Sequence, residues 1–310
     1  MSLSFWVVEL AVYAYAVVLG RHAWRQNTRW FGTYIWAMVF GLVAEQAMVH
    51  HGSYVYGDFL IMIGPVPLWV AAGWGVIVYS CTFTAQKMRM PGVLRPLAAG
   101  LLAVNIDLSL DPIAQLQGFW TWKDDGGASF FGVPFDNYLG WLLIVAVYAL
   151  VSRLAFRRWS SSTEERPMRD FLISGACAAL ALALLLVLQK LSGPVYSVLG
   201  GELPAFVLLM GAAGWVASSY LRHARRDQPF SRATLGVPIF FHGLLFVILL
   251  VSGDYVRAPA MVVVIPLAML VGFFATAWVS LDRVLPPMRR LEVTPPPAER
   301  PVRERRRATG

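Results

Sequence analysis

The sequence predicts an all-α membrane protein, a polytopic bundle of about 8–9 transmembrane helices with the N-terminus outside and the C-terminus in the cytoplasm. Of its 310 residues, 57% are hydrophobic and only 14% are charged, and this composition excludes a soluble domain. Runs of about twenty apolar residues have the length that crosses a bilayer core. Nine such runs occur, at roughly 4–20, 31–49, 59–83, 93–110, 136–156, 170–189, 203–221, 234–252 and 258–281.

The basic residues predict the orientation of the chain. When the loops between the nine runs are assigned to alternate sides, 23 of the 26 Lys and Arg residues fall on one side. The other side keeps Lys123, Lys190 and Arg257. The positive-inside rule assigns the basic side to the cytoplasm. The net charge of +8 is therefore a topology signal that also favours contact with anionic lipid, and it does not indicate a nucleic-acid partner.

The two ends of the chain differ in composition. The first apolar run lacks the basic start and small-residue cleavage site of a signal peptide, so we expect it to remain as a helix. Residues 1–284 are predicted to form a single transmembrane helical domain in the cell (cytoplasmic or inner) membrane, crossing it several times. Residues 285–310 are rich in Pro and Arg and are predicted to be a disordered cytoplasmic tail.

Two carboxylates lie in the first two predicted helices, Glu9 in the first and Glu45 near the end of the second. A carboxylate in a membrane helix is expected to face the bundle interior or a polar cavity. We interpret Glu9 as a hydrogen-bonded buried group near the outer surface. Glu45 leads into an outer loop that contains Tyr54 and Tyr56, and it is a candidate catalytic residue.

The third and fifth predicted helices begin with a similar pattern. Pro67 and Pro134 each stand six residues before a glycine, and Trp74 and Trp141 follow those glycines. Proline has no backbone N–H, and near the start of a helix that N–H would have no partner within the helix. Glycine lets a neighbouring helix or a ligand approach closely. The pattern is explained either by an internal duplication of helix pairs or by the ordinary frequency of these residues in membrane helices.

The strongest functional signal lies in the stretch 105–141, which we predict to be the active-site segment. Asp107 and Asp111 are four residues apart, so they share one face of a helix. Ionisable groups at the end of a membrane helix are costly, and a chain that keeps two of them together is expected to use them.

The segment that follows, 112–134, is predicted to be an outer loop or lid. Trp120 and Trp122 within it fit an interfacial aromatic belt or a cover over a cavity mouth. Asp124 and Asp125 stand beside two glycines and are interpreted as a solvated turn rather than as catalytic groups.

The sequence shows no motif for a cofactor or a metal. Its histidines form no HxxxH or HxxHH box, which argues against di-iron hydroxylase or desaturase chemistry. Cys81 and Cys177 have neither metal-ligand spacing nor a disulfide framework, and we interpret them as packed thiols. No G-x-G-x-x-G, P-loop or nucleophile-elbow pattern stands between a predicted strand and helix. We therefore expect chemistry that uses no cofactor.

Three motifs occur in order: D-x-x-x-D-P from Asp107 to Pro112, G-x-W-x-W from Gly118 to Trp122, and G-V-P-x-x-N-x-x-G-W from Gly132 to Trp141. Their order and spacing resemble the integral-membrane carotenoid hydratase family, which acts on γ-carotene-type and bacterioruberin-precursor end groups. The loop Tyr54–Tyr56 and the proline-rich third helix are also similar to that family. The resemblance covers roughly residues 40–150.

The resemblance implies a hydro-lyase of carotenoid biosynthesis. Its reaction would be hydration of the terminal double bond of an acyclic (ψ) carotenoid end group, which gives a tertiary alcohol. The implied partners are an acyclic polyene substrate, membrane lipid and other enzymes of the carotenoid pathway.

The candidate residues suit acid-catalysed hydration. Two poorly solvated carboxyls on one helix face resist double ionisation, so one keeps a proton and serves as a general acid. The hypothesis is that Asp107 or Asp111 protonates the alkene. The partner carboxyl, or Asp136, then activates water, and Glu45 is a further catalytic candidate. The candidate substrate-binding residues, which stabilise a cation or orient water, are Tyr54, Tyr56, Trp74, Trp120, Trp122, Asn137 and Trp141.

Three other functions stay open on the sequence. The stretch Asn105 to Asp111 is similar to part of the aspartate-rich Mg²⁺–diphosphate motif of a membrane prenyltransferase, although no second such motif follows. A pigment- or lipid-binding subunit would use the same aromatic residues to line a carotenoid groove without catalysis. A membrane carotenoid cyclase would also protonate a polyene end, but it would form a ring and add no oxygen.

Overall fold

The computed structural model describes residues 2–123, 129–159, 166–221, 227–229 and 231–280. In this part of the chain nine helices are long and apolar enough to cross a membrane, so the predicted all-α polytopic bundle is confirmed. The helices are α1 (Leu3–Gln26), α2 (Thr28–His51), α3 (Leu68–Lys87), α4 (Leu94–Gln117), α5 (Phe135–Trp159), α6 (Pro167–Val198), α7 (Glu202–Leu221), α8 (Arg232–Ser252) and α9 (Met261–Ala277). The predicted tail, 285–310, and the predicted solvated turn at Asp124 and Asp125 lie outside the described residues.

Short strands and 3-10 turns complete the described structure. The strands are β1 (Tyr54–Tyr56), β2 (Met62–Ile63), β3 (Val66–Pro67), β4 (Trp120–Trp122), β5 (Ser129–Phe130) and β6 (Val133–Pro134). Single 3-10 turns, Asp254–Val256 and Trp278–Ser280, follow α8 and α9. All six strands lie in the two connections α2–α3 and α4–α5, at one end of the bundle.

Two helix boundaries differ from the predicted apolar runs. The third run was expected to start near residue 59, but β2 and β3 form a hairpin there and α3 begins at Leu68. The fourth helix continues through Pro112 to Gln117, so the first six residues of the predicted loop 112–134 are helical. Proline removes one backbone N–H but leaves the neighbouring helical hydrogen bonds in place. Asp111 therefore lies inside α4 instead of at its end.

The two strand-bearing connections repeat one another. In each, a helix ends on a glycine with a left-handed backbone, a three-residue strand follows, and a hairpin ending in Val-Pro leads into the next helix. The glycines are Gly52, with φ of 85°, and Gly118, with φ of 71°, and the amide of each donates to carbonyls three and four residues back. Only a residue without a Cβ adopts this backbone at low cost. The repeated order supports the internal duplication.

The repeats meet at an antiparallel ladder. Strand β1 pairs with β4, and the central pair is Val55 with Thr121. Because the pairing is antiparallel and centred on this pair, the strand that follows α2 and the strand that follows α4 run past each other in opposite directions. Glu45 and Asp111 occupy equivalent positions, since each stands seven residues before its left-handed glycine. The ladder thus brings the two halves of the duplication together where their carboxylates lie.

Helices α3 and α4 of this repeat form the interior of the bundle. In an apolar stretch of 18 residues in α3, 94% is buried, and in the corresponding stretch of α4 the share is 72%. The shares in α6 and α7 are 22% and 17%, so these helices present most of their apolar surface outward, as lipid-facing helices do. Cys81 and Cys177 are both buried and unbonded to each other, as expected of packed thiols.

Glu9 has the structural role that its position predicts. It is fully buried, accepts a hydrogen bond from the Tyr13 hydroxyl at 2.9 Å, and accepts two more from the backbone amides of Leu60 and Ile61 at 2.8 and 3.1 Å. A buried carboxylate needs such donors. Glu9 therefore ties α1 to the loop that precedes β2.

Candidate active site

The two aspartates of α4 lie together against the first turn of α5. Asp107 is 0% and Asp111 3% exposed, and both contact Asn137. The Asn137 amide nitrogen is 3.1 Å from Asp107 Oδ2 and also donates to Asp111 Oδ2. A side-chain amide carries two N–H donors, so one nitrogen serves both carboxyls. The packing of α4 on α5 thereby holds two buried carboxyl groups beside a single amide.

Several buried polar atoms near this pair have no hydrogen-bond partner among the described residues. They include Asp107 Oδ1, the Tyr138 hydroxyl and the indole nitrogens of Trp69 and Trp122. Buried polar groups are almost always paired in folded proteins, with protein or with water. An acceptor and three N–H or O–H donors left in one region therefore indicate a place for water or for a polar group of a ligand.

Glu45, from the equivalent position of α2, is held by three donors. Its Oε1 accepts from the Trp74 indole nitrogen at 2.7 Å, and its Oε2 accepts from the Tyr56 hydroxyl at 2.6 Å and from the Tyr54 hydroxyl. Both oxygens are thus occupied as acceptors, an arrangement that suits the ionised carboxyl. Burial, together with the Glu45 charge, raises the pKa of both phenols well above the ordinary tyrosine value, so both remain protonated donors.

A glycine makes room for the indole that binds Glu45. A Cβ added at Gly41 would overlap the Trp74 side chain, so the ring packs directly on the backbone of α2. The close approach places the Trp74 indole nitrogen beside Glu45, one turn further along α2. Because Gly41 has no side chain, the Trp74 indole can lie close enough to Glu45 to donate a hydrogen bond to it.

A cavity of about 50 Å³ is lined by both Glu45 and Asp111. This volume is several times the ~10–15 Å³ that one water needs. Its walls are largely indole rings: Trp74 and Trp141 have centroids 4.7 Å apart, and Trp69 stacks on Trp120 at 5.9 Å. The residues that line the cavity are Glu45, Tyr54, Tyr56, Trp69, Val70, Gly73, Trp74, Ile77, Leu110, Asp111, Trp120, Trp122, Asn137, Trp141 and Phe241. An aromatic cavity with a few convergent polar groups is typical of a site for an apolar ligand.

The β1–β4 ladder positions the aromatic residues over this cavity. Tyr54 lies opposite Trp122 and Tyr56 opposite Trp120, and the ring centroids of these pairs are 4.7 and 5.7 Å apart. Cross-strand aromatic pairs of this kind fix one another's rotamers. A register shift would move these rings to the other face of the ladder, so the pairing specifies the cavity wall.

Most of the residues predicted from the sequence converge here. All seven candidate substrate-binding residues line the cavity, as do Glu45 and Asp111. Asp107 does not line the cavity, but it accepts a hydrogen bond from Asn137, which does. Asp136 is half-buried in the first turn of α5 and does not line the cavity; its charge acts on Tyr196 of α6 instead.

Sequence reasoning did not select three residues near the site: Trp69, Tyr138 and Phe241. Trp69 and Tyr138 lie within the Val-Pro motifs that were noted, and their indole and phenol groups were a usable signal. Phe241 comes from α8, where no motif occurs. His242 of the same helix contacts α4, because its Nδ1 atom is 2.7 Å from the Ser109 hydroxyl oxygen.

Comparison with known proteins places this site inside a recognised family region. A family model described as "carotenoid biosynthesis protein" matches residues 2–210, which contain every residue of the cavity except Phe241. The chain is 30% identical over 118 residues to the bisanhydrobacterioruberin hydratase of Haloarcula japonica. That alignment covers 35% of this chain and 38% of the relative. No solved structure matches the chain.

Proposed function

The chain belongs to the carotenoid biosynthesis protein family, and we propose that it catalyses cofactor-independent hydration of the terminal double bond of an acyclic (ψ) carotenoid end group. The observation that carries the proposal is the buried pair Asp107–Asp111, bridged by Asn137, at the end of an aromatic cavity. The cavity suits an apolar chain end, and the carboxyl pair suits proton donation. The name of the Haloarcula japonica relative agrees with this reaction class.

The reaction begins with proton transfer from Asp111, the member of the pair that lines the cavity. The proton forms a C–H bond at the less substituted alkene carbon, and the π electrons of the double bond supply that bond. The other carbon becomes a tertiary cation. Asn137 donates to the Asp111 oxygen that becomes anionic, and such a bond strengthens as charge develops. Asp107, one turn away on α4, receives the second N–H of the same amide.

The cation forms between groups that stabilise positive charge. The faces of Trp74 and Trp141 each contribute about 1–2 kcal/mol when close to a desolvated cation. Glu45 also lines the cavity and holds its carboxyl toward the same space through three donors. In the proposed mechanism its negative charge offsets the charge of the cation.

Water then adds to the cation. The indole N–H groups of Trp69 and Trp122 line the cavity without partners in the described part of the chain, and they are donors for the water oxygen. The oxygen forms a C–O bond and loses one proton, which returns to the carboxylate left on Asp111. The product is a tertiary alcohol, and the catalyst is regenerated. Asp136 does not line the cavity, so no step is assigned to it.

The test is expression in a host that accumulates lycopene, with analysis of the extracted pigments by liquid chromatography and mass spectrometry. We expect a product heavier than lycopene by one water. Asp107→Asn and Asp111→Asn are expected to abolish this product while the protein accumulates in the membrane at normal levels. The control is Asp58→Asn, which makes the same change at an exposed aspartate of the α2–α3 connection. Full turnover by both active-site variants would refute the assigned roles.

The mass and the isotope content of the product together separate hydration from its alternatives. In D2O a hydrated product carries a single non-exchangeable deuterium at the carbon that received the proton. An isomer that has the mass of lycopene when formed in H2O would show cyclisation instead. Lycopene that co-purifies unaltered with abundant folded protein would favour a binding subunit, and turnover that depends on Mg²⁺ would favour a prenyltransferase.

A further inference from the structure

A second cavity lies at the opposite end of the same four helices. It has a volume of about 480 Å³ and is formed by the start of α2, the end of α3, the start of α4 and the end of α5. Arg95 and Asp111 are sixteen positions apart on α4, a rise of about 24 Å, so this cavity is remote from the proposed hydration site. The residues that line it are Arg29, Trp30, Thr33, Thr82, Ala85, Gln86, Arg95, Pro96, Ala149, Ser152, Arg153, Phe156 and Arg157.

Four of these residues are arginines, and no acidic residue lines the cavity in the part of the chain that the structure describes. Arg95 is close enough to Arg153 and Arg157 for their charges to repel one another. Asp170 of α6 attracts Arg29 from outside the cavity and forms an ion pair with Arg169 at 3.5 Å. Like charges held together around a cavity are unfavourable unless an anion lies between them.

Two buried donors of this cavity also lack partners among the described residues. Thr82 is 8% exposed, and its hydroxyl has no hydrogen-bond partner among the described residues. The Arg29 Nε atom is likewise buried and unpaired within them. The guanidinium of Arg29 lies 4.1 Å from the Phe156 ring centroid, a contact that fixes its plane. A buried hydroxyl without a partner, in a cavity lined by arginines, indicates an acceptor-rich ligand.

Backbone contacts hold two of the arginines in place. Arg95 donates through Nε to the Met90 carbonyl, and Arg153 donates through one amino group to the Gly92 carbonyl. A guanidinium has five N–H donors, so each arginine keeps donors beyond the one used in this way. Planar donors in fixed positions match the oxygens of a phosphate group.

We propose that this cavity binds a phosphate-bearing anion. The ligand is either the headgroup of an anionic phospholipid or a free diphosphate, and both present several charged oxygens to the four guanidinium groups and to the Thr82 hydroxyl. The cavity is at the basic end of the bundle, where anionic headgroups of a bilayer are attracted. Occupancy of the cavity would hold the ends of α2, α4 and α5 together.

The test measures ligand binding by the purified full-length protein in an uncharged detergent. Phosphatidylglycerol in mixed micelles is one probe, and pyrophosphate is the other, each against sodium chloride at matched ionic strength. We expect one probe to raise the melting temperature in a saturable manner and to be retained in native mass spectra. Binding of phosphatidylglycerol alone identifies a lipid headgroup as the ligand, and binding of pyrophosphate identifies a free phosphate compound.

Matched variants locate the binding. Arg95→Gln and Arg157→Gln are each expected to weaken binding about 10–100-fold, the loss that accompanies one charge-assisted hydrogen bond. Arg158→Gln is the control, because Arg158 is exposed, follows Arg157 directly and does not line the cavity. Arg157 is itself exposed, so its variant remains informative if Arg95→Gln fails to fold. Saturable binding by neither probe, or equal losses in Arg157→Gln and Arg158→Gln, would overturn the proposal.

Discussion

Replacing Asn137 by leucine tests whether the amide bridge between the two aspartates serves catalysis. Leucine has a similar size but no donor, so Asn137→Leu removes the N–H at 3.1 Å from Asp107 and the N–H on Asp111. As Asp111 gives up its proton, its bond to Asn137 becomes a bond to an anion, worth about 1.5–3 kcal/mol. Since about 1.4 kcal/mol is a factor of ten in rate, turnover is expected to fall about 10–100-fold.

The assay counts hydrated pigment formed per folded protein, with folded protein measured by size-exclusion chromatography. This normalisation matters because buried carboxyl oxygens that lose a donor also cost about 1–3 kcal/mol of stability. Asn105→Leu is the matched control. Asn105 is on α4 as well, but its amide donates to the Ala268 carbonyl at 3.0 Å, and it does not line the aromatic cavity. Unchanged turnover in Asn137→Leu, or an equal fall in Asn105→Leu, would refute the catalytic role of the bridge.

Two further predictions concern stability. Gly41→Ala forces the added Cβ against Trp74 and is expected to lower the free energy of unfolding by about 1–3 kcal/mol, which a lower melting temperature would show. Gly140→Ala is the control that should be tolerated, because its added Cβ meets nothing within 4 Å. Burial raises the pKa of Tyr54 and Tyr56 in the folded protein. The stability that the protonated phenols contribute is therefore complete below about pH 10, the ordinary tyrosine pKa. It is lost at higher pH, because the tyrosines of the unfolded chain ionise first. Between about pH 8 and pH 11 the melting temperature should therefore fall less steeply with pH in the double variant Tyr54→Phe, Tyr56→Phe than in the unchanged protein. Equal slopes in the two proteins would contradict this.

The transmembrane helices could be predicted because a bilayer imposes a length and an apolar composition on each of them. The strands could not. Segments of two or three residues, such as Met62–Ile63 and Ser129–Phe130, are too short to show the alternation of a strand. Their pairing depends on contacts between parts of the chain that are far apart in sequence, as in β1 with β4. The helical continuation through Pro112 was also missed, because an internal proline usually predicts a helix boundary.

The candidate site was partly predictable for the same reason. Asp107 and Asp111 could be paired from their spacing alone, since four residues make one helical turn. That Glu45 and Asn137 lie at the same cavity follows only from the packing of α2–α3 against α4–α5. The arginine-lined cavity shows the same limit. Its arginines were predicted to be on one side of the membrane, but their convergence is a property of helix packing.

In the proposed mechanism, a repeated scaffold gives two carboxylates different roles. Glu45 and Asp111 are equivalent in the repeat, but their neighbours are not. The strand after Glu45 supplies two phenol hydroxyls that donate to it, whereas the strand after Asp111 places tryptophans, which have no hydroxyl, at the same positions. The position equivalent to Gly41 in the second half is Asp107.

The two halves therefore differ in the groups that decide protonation. Three neighbours of Glu45 donate hydrogen bonds to it, and this geometry suits an anion. Around Asp111 the nearest ionisable neighbour is a second carboxyl, and two carboxyls this close favour a shared proton. Environments that push two acidic groups toward opposite charge states are how acid and base roles are assigned in one site. Under the proposed mechanism, this asymmetry makes Asp111 the proton donor and Glu45 the counter-charge for the cation, although both occupy the same position in the repeat.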